Sequence, residues 1–276
     1  MDHEVPVLAL RDAAGRLRAV LFGYACHATV LRDQLWSGDY PGFAQSDIEA
    51  ANPGATALFV AGTGADQNAL PRREVDLARA YGRRLAAAVE EVVGGPMTRI
   101  QGHLGLAYAE IDLPYARVPT REELVTEAAT TSGSQAARAR LLLEEIDRSG
   151  QLPRSYPHYP VHVWQLGADL TLVALGGEVV VDYALRLKRE LDHPQARTWV
   201  AGYTSDVMAY IPSERVLGEG GYEGDTSTLV YGRPARWAPR IETLIVQAVH
   251  AQAGLARRRA TDPAAVGVRA APMPAP

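Results

Sequence analysis

The sequence holds a single cysteine, Cys26. No intrachain disulfide can form, and no cysteine-based zinc site can be assembled. That usage fits a reducing compartment without excluding export. Long apolar runs are missing as well. No stretch of about 18 such residues occurs, so no membrane-spanning helix is expected. Among the first twenty residues Asp2, Glu4, Arg11, Asp12, Arg16 and Arg18 interrupt the apolar ones, which is not the pattern of a secretory leader. A dominant charge is lacking too. A net charge of -4 and a pI of about 6.0 give no electrostatic reason to expect nucleic acid or an anionic membrane as partner. The one basic run, Arg257-Arg258-Arg259, reads as a solvated helix end. No internal repeat stands out, and the compartment stays open.

What is present is an ordinary globular composition, 47% hydrophobic and 22% charged over 276 residues. That length suffices for one large domain with a real core. Val5–Leu10 and Leu17–Ala25 are apolar, β-rich runs around a polar turn and read as a hairpin. A short helix is expected from about Pro41 to Ala51, then a buried strand over Ala55–Ala61 ending in Gly62-Thr63-Gly64-Ala65-Asp66. Glu74–Val93 carries Val75, Ala78, Leu85, Ala88 and Val92 at helical spacing and is stopped by Gly94-Gly95-Pro96. Strands are expected over Arg99–Ile111 and His158–Leu175, the latter broken at Gly167-Ala168-Asp169. Between them Arg121–Arg148 reads as helix with a break at Ser132-Gly133. Glu178–Leu191 reads as an amphipathic helix, Thr198–Ala201 as a strand and Ala238–Ala256 as a closing helix. Residues 257–276 are set apart as an Ala/Pro-rich tail, expected to be disordered from about Ala260. The mixture indicates an α/β (mixed α+β) fold of layered sheets with flanking helices in a single catalytic-type domain, 1–256.

Polar residues and glycines collect at the ends of the apolar strands, where rigid scaffolds carry function. His27, in Ala25-Cys26-His27-Ala28-Thr29, is either a core histidine bonded to backbone or a ligand. The turn Gly62–Asn68 can cradle an anion through backbone N–H groups, but it lacks the Gly-Lys-Ser/Thr of a phosphate loop and is equally a plain turn. Glu178 after Gly176-Gly177 suits either a helix N-terminus or, with a histidine, a zinc site. Gly202–Gly224 is long, irregular and rich in Gly, Tyr and acids, as functional loops often are.

Taken in order, CHATVL, SGDYPGFAQ, GTGADQN, LGGEVVVDY, GYTSDVMAYIP and EGGYEG resemble the neutral/alkaline ceramidase family in its shorter bacterial form, from about Val5 to Val249. The resemblance implies a zinc amidohydrolase that cleaves the N-acyl bond of ceramide-like lipids to a sphingoid base and a fatty acid. It places metal ligands on His27, Glu178 and Tyr210, and a tyrosine near the scissile carbonyl on Tyr222. The family's active-site serine falls on Asn68, which can hydrogen-bond but cannot act as nucleophile. Asp39 and Asp66 are expected to brace the loops behind the ligands. The family's first histidine ligand lies upstream in a Thr-His-Thr-His-Ser-Gly motif with no counterpart here, so the chain reads as N-terminally truncated relative to the family. Two other readings remain: a truncated or split form without activity of its own, and a hydrolase of a different amide or ester.

Overall fold

The computed structural model describes residues 1–193 and 196–261. In chain order the elements are β1 (Val7–Arg11), β2 (Leu17–Tyr24), α1 (Asp39–Ala51), β3 (Thr56–Ala61), α2 (Val75–Gly94) and β4 (Leu104–Pro114). Then come α3 (Arg121–Thr130), α4 (Gly133–Ser149), β5 (Ser155–Leu166), β6 (Leu170–Leu175), β7 (Glu178–Val179) and α5 (Val181–Leu191). The chain continues through β8 (Arg197–Ala201), β9 (Tyr210–Ile211), α6 (Glu214–Glu219), a π-helical turn at Tyr222–Thr226, α7 (Ser227–Val230) and α8 (Ile241–Thr261). This is the mixed, layered α/β arrangement in one domain that the sequence implied.

The expected hairpin is present: β1 and β2 pair antiparallel, and Asp12 Oδ1 accepts from the N–H groups of Ala14 and Arg16 in the turn between them. On its other edge β2 pairs parallel with β3, in the order β1-β2-β3. A parallel pair needs a crossover, and α1 supplies it. Helix α1 starts at Asp39, ahead of the expected Pro41, which leaves the proline in the first turn where its missing N–H costs nothing. Helix α2 buries Ala78, Leu85, Ala86, Val89 and Val93 and lies close against α1 at Gly82. A side chain at Gly82 would meet Phe43 Cβ at 2.6 Å. The resulting core centres on Val20, Phe22, Tyr40, Ile48 and Val89.

A second sheet, ordered β4-β5-β6-β8, is antiparallel except for the β6–β8 pair. Its core joins Val161, Val163, Val173 and Leu175 to Leu187 of α5 and to Ile245 and Val249 of α8. Helix α8 lies against β4 and β5 at Gly105, where a Cβ would fall 1.9 Å from the Ala256 carbonyl oxygen. Helices α3 and α4 form a small satellite core around Leu124, Ala139 and Leu142. A capping box starts α3, with Thr120 accepting from Glu123 N and Glu123 from Thr120 N. The break between these helices falls where Ser132-Gly133 indicated.

Several boundaries differ from the sequence reading by a few residues, among them the starts of β4 at Leu104, β5 at Ser155 and α8 at Ile241, and two further differences change a reading. Helix α8 runs through Thr261, so Arg257–Arg259 are helical, and Arg258 and Arg259 lie in its last turn, where cations suit the carbonyl end of the dipole. The tail from 262 to 276 lies outside the described residues. Glu178 does not open a helix: Glu178–Val179 is the strand β7, and α5 starts three residues later at Val181. Among the described residues no helix is long and apolar enough to cross a membrane.

Candidate metal centre

The two sheets meet at a seam, and the candidate residues lie along it. Gly62, just past β3, forms an antiparallel bridge with Ala201 at the end of β8, and Ala65 N donates to Val179 O at 3.2 Å. His27 follows β2 on one side of the seam, while Glu178 and Tyr210 come from β7 and β9 on the other. The His27 backbone is held by the Gly62–Asn68 turn: His27 N donates to Gln67 O at 2.9 Å, and His27 bridges Asn68 in parallel. The turn folds this tightly because of Gly64. A Cβ there would sit 2.3 Å from Cys26 N and 2.5 Å from Ala25 C.

Glu178 and Tyr210 are brought side by side by backbone pairing. Strands β7 and β9 run parallel with Glu178 opposite Tyr210 and Val179 opposite Ile211. Glu178 N donates to Ala209 O at 2.8 Å and Val180 N to Ile211 O at 3.2 Å. Gly177 adopts φ +76 and a Cβ on it would meet Ile211 Cγ1 at 2.6 Å, so the approach of the two strands requires glycine there.

The expected bracing residues lie behind these groups. Asp66 Oδ1 accepts from Val181 N at 2.9 Å, serving the first turn of α5, whose own N-cap residue Val180 has no polar side chain. Asp39 is buried, and its carboxylate accepts from Leu31 N at 2.8 Å and Tyr40 N at 2.7 Å. Tyr40 in turn donates to Cys26 O at 2.7 Å, next to His27.

Between the three candidate ligands, His27 Nε2 lies 3.9 Å from Glu178 Oε2 and 3.4 Å from Tyr210 Oη. Donors about 2.0–2.2 Å from one tetrahedral ion stand about 3.3–3.6 Å apart, so the set fits zinc in donor type and nearly in spacing. Only two of the three belong to the usual His, Cys, Asp and Glu ligands, and among the described residues no group of three or more such side chains gathers anywhere. Burial, and then the Glu178 charge, hold the Tyr210 phenol well above its usual pKa. A cation's charge acts in the opposite sense and favours phenolate. Tyr222 meets Tyr210 edge-on with ring centroids 5.3 Å apart and remains 46% exposed, so it faces the opening of the site. Asn68 Oδ1 accepts from Thr29 Oγ1 at 3.2 Å and Arg72 Nη1 at 2.8 Å.

Two tyrosines that the sequence reading did not single out complete the cluster. Tyr203 Oη lies 3.3 Å from both His27 Nδ1 and Glu178 Oε2, and Tyr231 donates a short hydrogen bond to Glu178 Oε1. Burial and the Glu178 carboxylate raise the pKa of both phenols. His27 Nε2 also lies 2.8 Å from Ala65 O, which defines two tautomers. With the proton on Nε2, His27 donates to Ala65 O and Tyr203 donates to Nδ1. With it on Nδ1, His27 donates to Tyr203, Tyr203 donates to Glu178, and Nε2 carries a lone pair that can accept from Tyr210 Oη. Only the second form frees the Nε2 lone pair for a metal, and in it Tyr203 accepts from Nδ1–H while donating to Glu178. Tyr203→Phe keeps the ring but removes this relay, and is expected to weaken zinc binding by about 10–100-fold. Competition against a chromophoric chelator measures it; unchanged affinity would show that the relay contributes nothing.

No protein-family model and no curated protein sequence matches the chain. Solved structures do. The fold is similar to that of neutral ceramidase from Pseudomonas aeruginosa, with a TM-score of 0.65 and 19% identity over 92% of this chain and 46% of that one. It is similar also to a ceramidase complexed with C2, with a TM-score of 0.68 and 17% identity over 92% of this chain and 48% of that one. The chain thus spans about half the length of the ceramidases it matches, and across nearly all of its own length it has a ceramidase-like fold.

Proposed function

We propose that this chain is the metal-binding part of a zinc-dependent amidohydrolase acting on the N-acyl bond of a ceramide-like lipid. The observation that carries the reading is the register pairing of Glu178 with Tyr210, both within reach of His27 Nε2 across the seam. His27, Glu178 and Tyr210 would hold the ion. When bound, zinc polarises an amide oxygen and acidifies a water molecule.

The remaining residues bind and orient. Because the Asn68 carbonyl oxygen already accepts from Thr29 and Arg72, its amide hydrogens are left as donors toward a substrate carbonyl. Tyr222 at the opening can donate its phenol hydrogen to the same oxygen from another side. Tyr203 and Tyr231 fix the rotamer of Glu178 by bonding one carboxylate oxygen each. Hydrolysis of a different amide or ester fits the same groups.

A second reading, a chain without activity of its own, is favoured by the small set of His, Cys, Asp and Glu ligands at the site among the described residues. Metal analysis of the purified chain, with fatty-acid release from N-acyl sphingoid and N-acyl amino substrates measured with and without chelator, separates the two. The hydrolase reading expects about one zinc per chain and chelator-sensitive release. A folded chain that takes up no zinc would overturn it.

A further inference from the structure

The candidate ligands open on a cavity of ≈ 580 Å³ that Arg32, Arg72, Arg73 and Asn68 also line. Two backbone ties bring these arginines to it. His27 bridges Asn68, and Arg73 N donates to Val30 O at 2.6 Å, which holds the 68–73 segment against the loop that carries Arg32. Arg73 makes that contact at φ 95, a region that side-chain-bearing residues rarely adopt. Strain of this kind persists where the surroundings impose it, characteristically at ligand sites.

Among the described residues none of the three guanidinium groups pairs with a carboxylate. Glu223 lines the same cavity without pairing with any of them. Guanidinium cannot shed its proton to relieve the repulsion, and it offers donors only. The free hydrogens of Asn68 add to the donors of the three arginines on the wall opposite in charge to Glu178 and Glu223. The hydroxyls of a ceramide headgroup give such a surface no counter-charge, whereas a carboxylate does.

We propose that Arg32, Arg72 and Arg73 bind a carboxylate of the substrate, which makes the preferred substrate an N-acyl amino acid. The substrate class rests on the hydrolase reading above; the anion site does not. Asn68 and His27 are neighbours across a strand-like bridge, a separation of about 5 Å. The segment that carries Arg72 and Arg73 thus starts beside a candidate ligand, and a carboxylate bound by the arginines shares one cavity with the amide. In the reaction the water oxygen joins the acyl carbon and the C–N bond breaks. One water proton ends on the leaving nitrogen, and the proton of the new carboxylic acid follows it. The products are a fatty-acid carboxylate and a zwitterionic amino acid.

The test compares an N-acylglycine with the N-acylethanolamine of the same short acyl chain, which differs by the charge. Equilibrium binding is measured with chelator present, so that turnover does not interfere. The wild-type chain is expected to bind the glycine conjugate at least about tenfold more tightly at low salt. That preference should shrink to within about threefold in an Arg32→Gln/Arg73→Gln variant and at high salt. Both side chains are exposed, so the variant retains its fold. Equal binding of the two amides by wild type, or a preference that the variant keeps, would overturn the anion site. Preferential binding without cleavage of either amide by the zinc-loaded chain would overturn the hydrolase reading and leave the anion site standing.

Discussion

Replacing His27 with alanine is expected to reduce bound zinc to background and to abolish N-acyl hydrolysis. Of the three candidate ligands, His27 alone comes from the β2 side of the seam. Cys26 is the adjacent soft donor, but its thiol contacts the His27 carbonyl oxygen and burial raises its pKa. The substitution also strips the Ala65 carbonyl of a buried partner, at about 1–3 kcal/mol. Thermal denaturation of the metal-free variant therefore belongs beside the zinc titration. A variant that is folded and holds as much zinc as wild type would remove His27 from the site and the zinc reading with it.

Gly64→Ala is expected to be the most disruptive single-methyl change near the site. The new Cβ would sit 2.3, 2.5 and 2.8 Å from Cys26 N, Ala25 C and Cys26 Cα, all of them backbone atoms that cannot rotate away. Relief means separating the glycine turn from the strand end that carries His27. The cost is about 3 kcal/mol, at the upper end for overpacking. Gly42→Ala is the matching control: the site is helical with nothing within 4 Å of the added carbon, so a gain of about 0.5–1 kcal/mol is expected there. Urea denaturation of the two variants measures both values. Equal stabilities would show that the turn is not packed against Ala25 and Cys26.

The parts legible in the sequence were those in which one segment carries its own signal. Helix α2 announces itself by Val75, Ala78, Leu85, Ala88 and Val92 at helical spacing and by the glycines after it, although Val75 and Val92 are exposed and Val89 and Val93 fill the core; the hairpin shows in its two apolar runs and polar turn. Glu178 shows where that logic fails. Val179 and Val180 extend the apolar pattern of α5 backward, and a short apolar run fits a strand as well as a helix. The partner that decides, β9, lies beyond α5 and β8, so the local pattern holds no trace of it. Tyr203 and Tyr231 were missed for a related reason. Tyr203 is placed by a left-handed backbone at φ 57, and both reach Glu178 through long-range packing. Only the density of Gly, Tyr and acids after Gly202 hinted at the first. The arginines of the cavity carry no local signal because Arg32 and Arg72 are distant in sequence; the bond from Arg73 N to Val30 O brings their segments together.

The two-residue ladder between β7 and β9 behaves as a fixed gauge. The interval from Glu178 to Tyr210 is set by the spacing of two hydrogen-bonded strands, about 4.8 Å, and not by the path the chain takes between them. The exposed excursion at Ser205–Val207 can thus be lengthened or exchanged without resetting that interval, provided the ladder re-forms, whereas α5, β8 and Tyr203 carry core, seam and relay contacts. Natural diversity and laboratory libraries aimed at new substrates have their freest ground in that excursion, while the two ladder positions themselves stay in register.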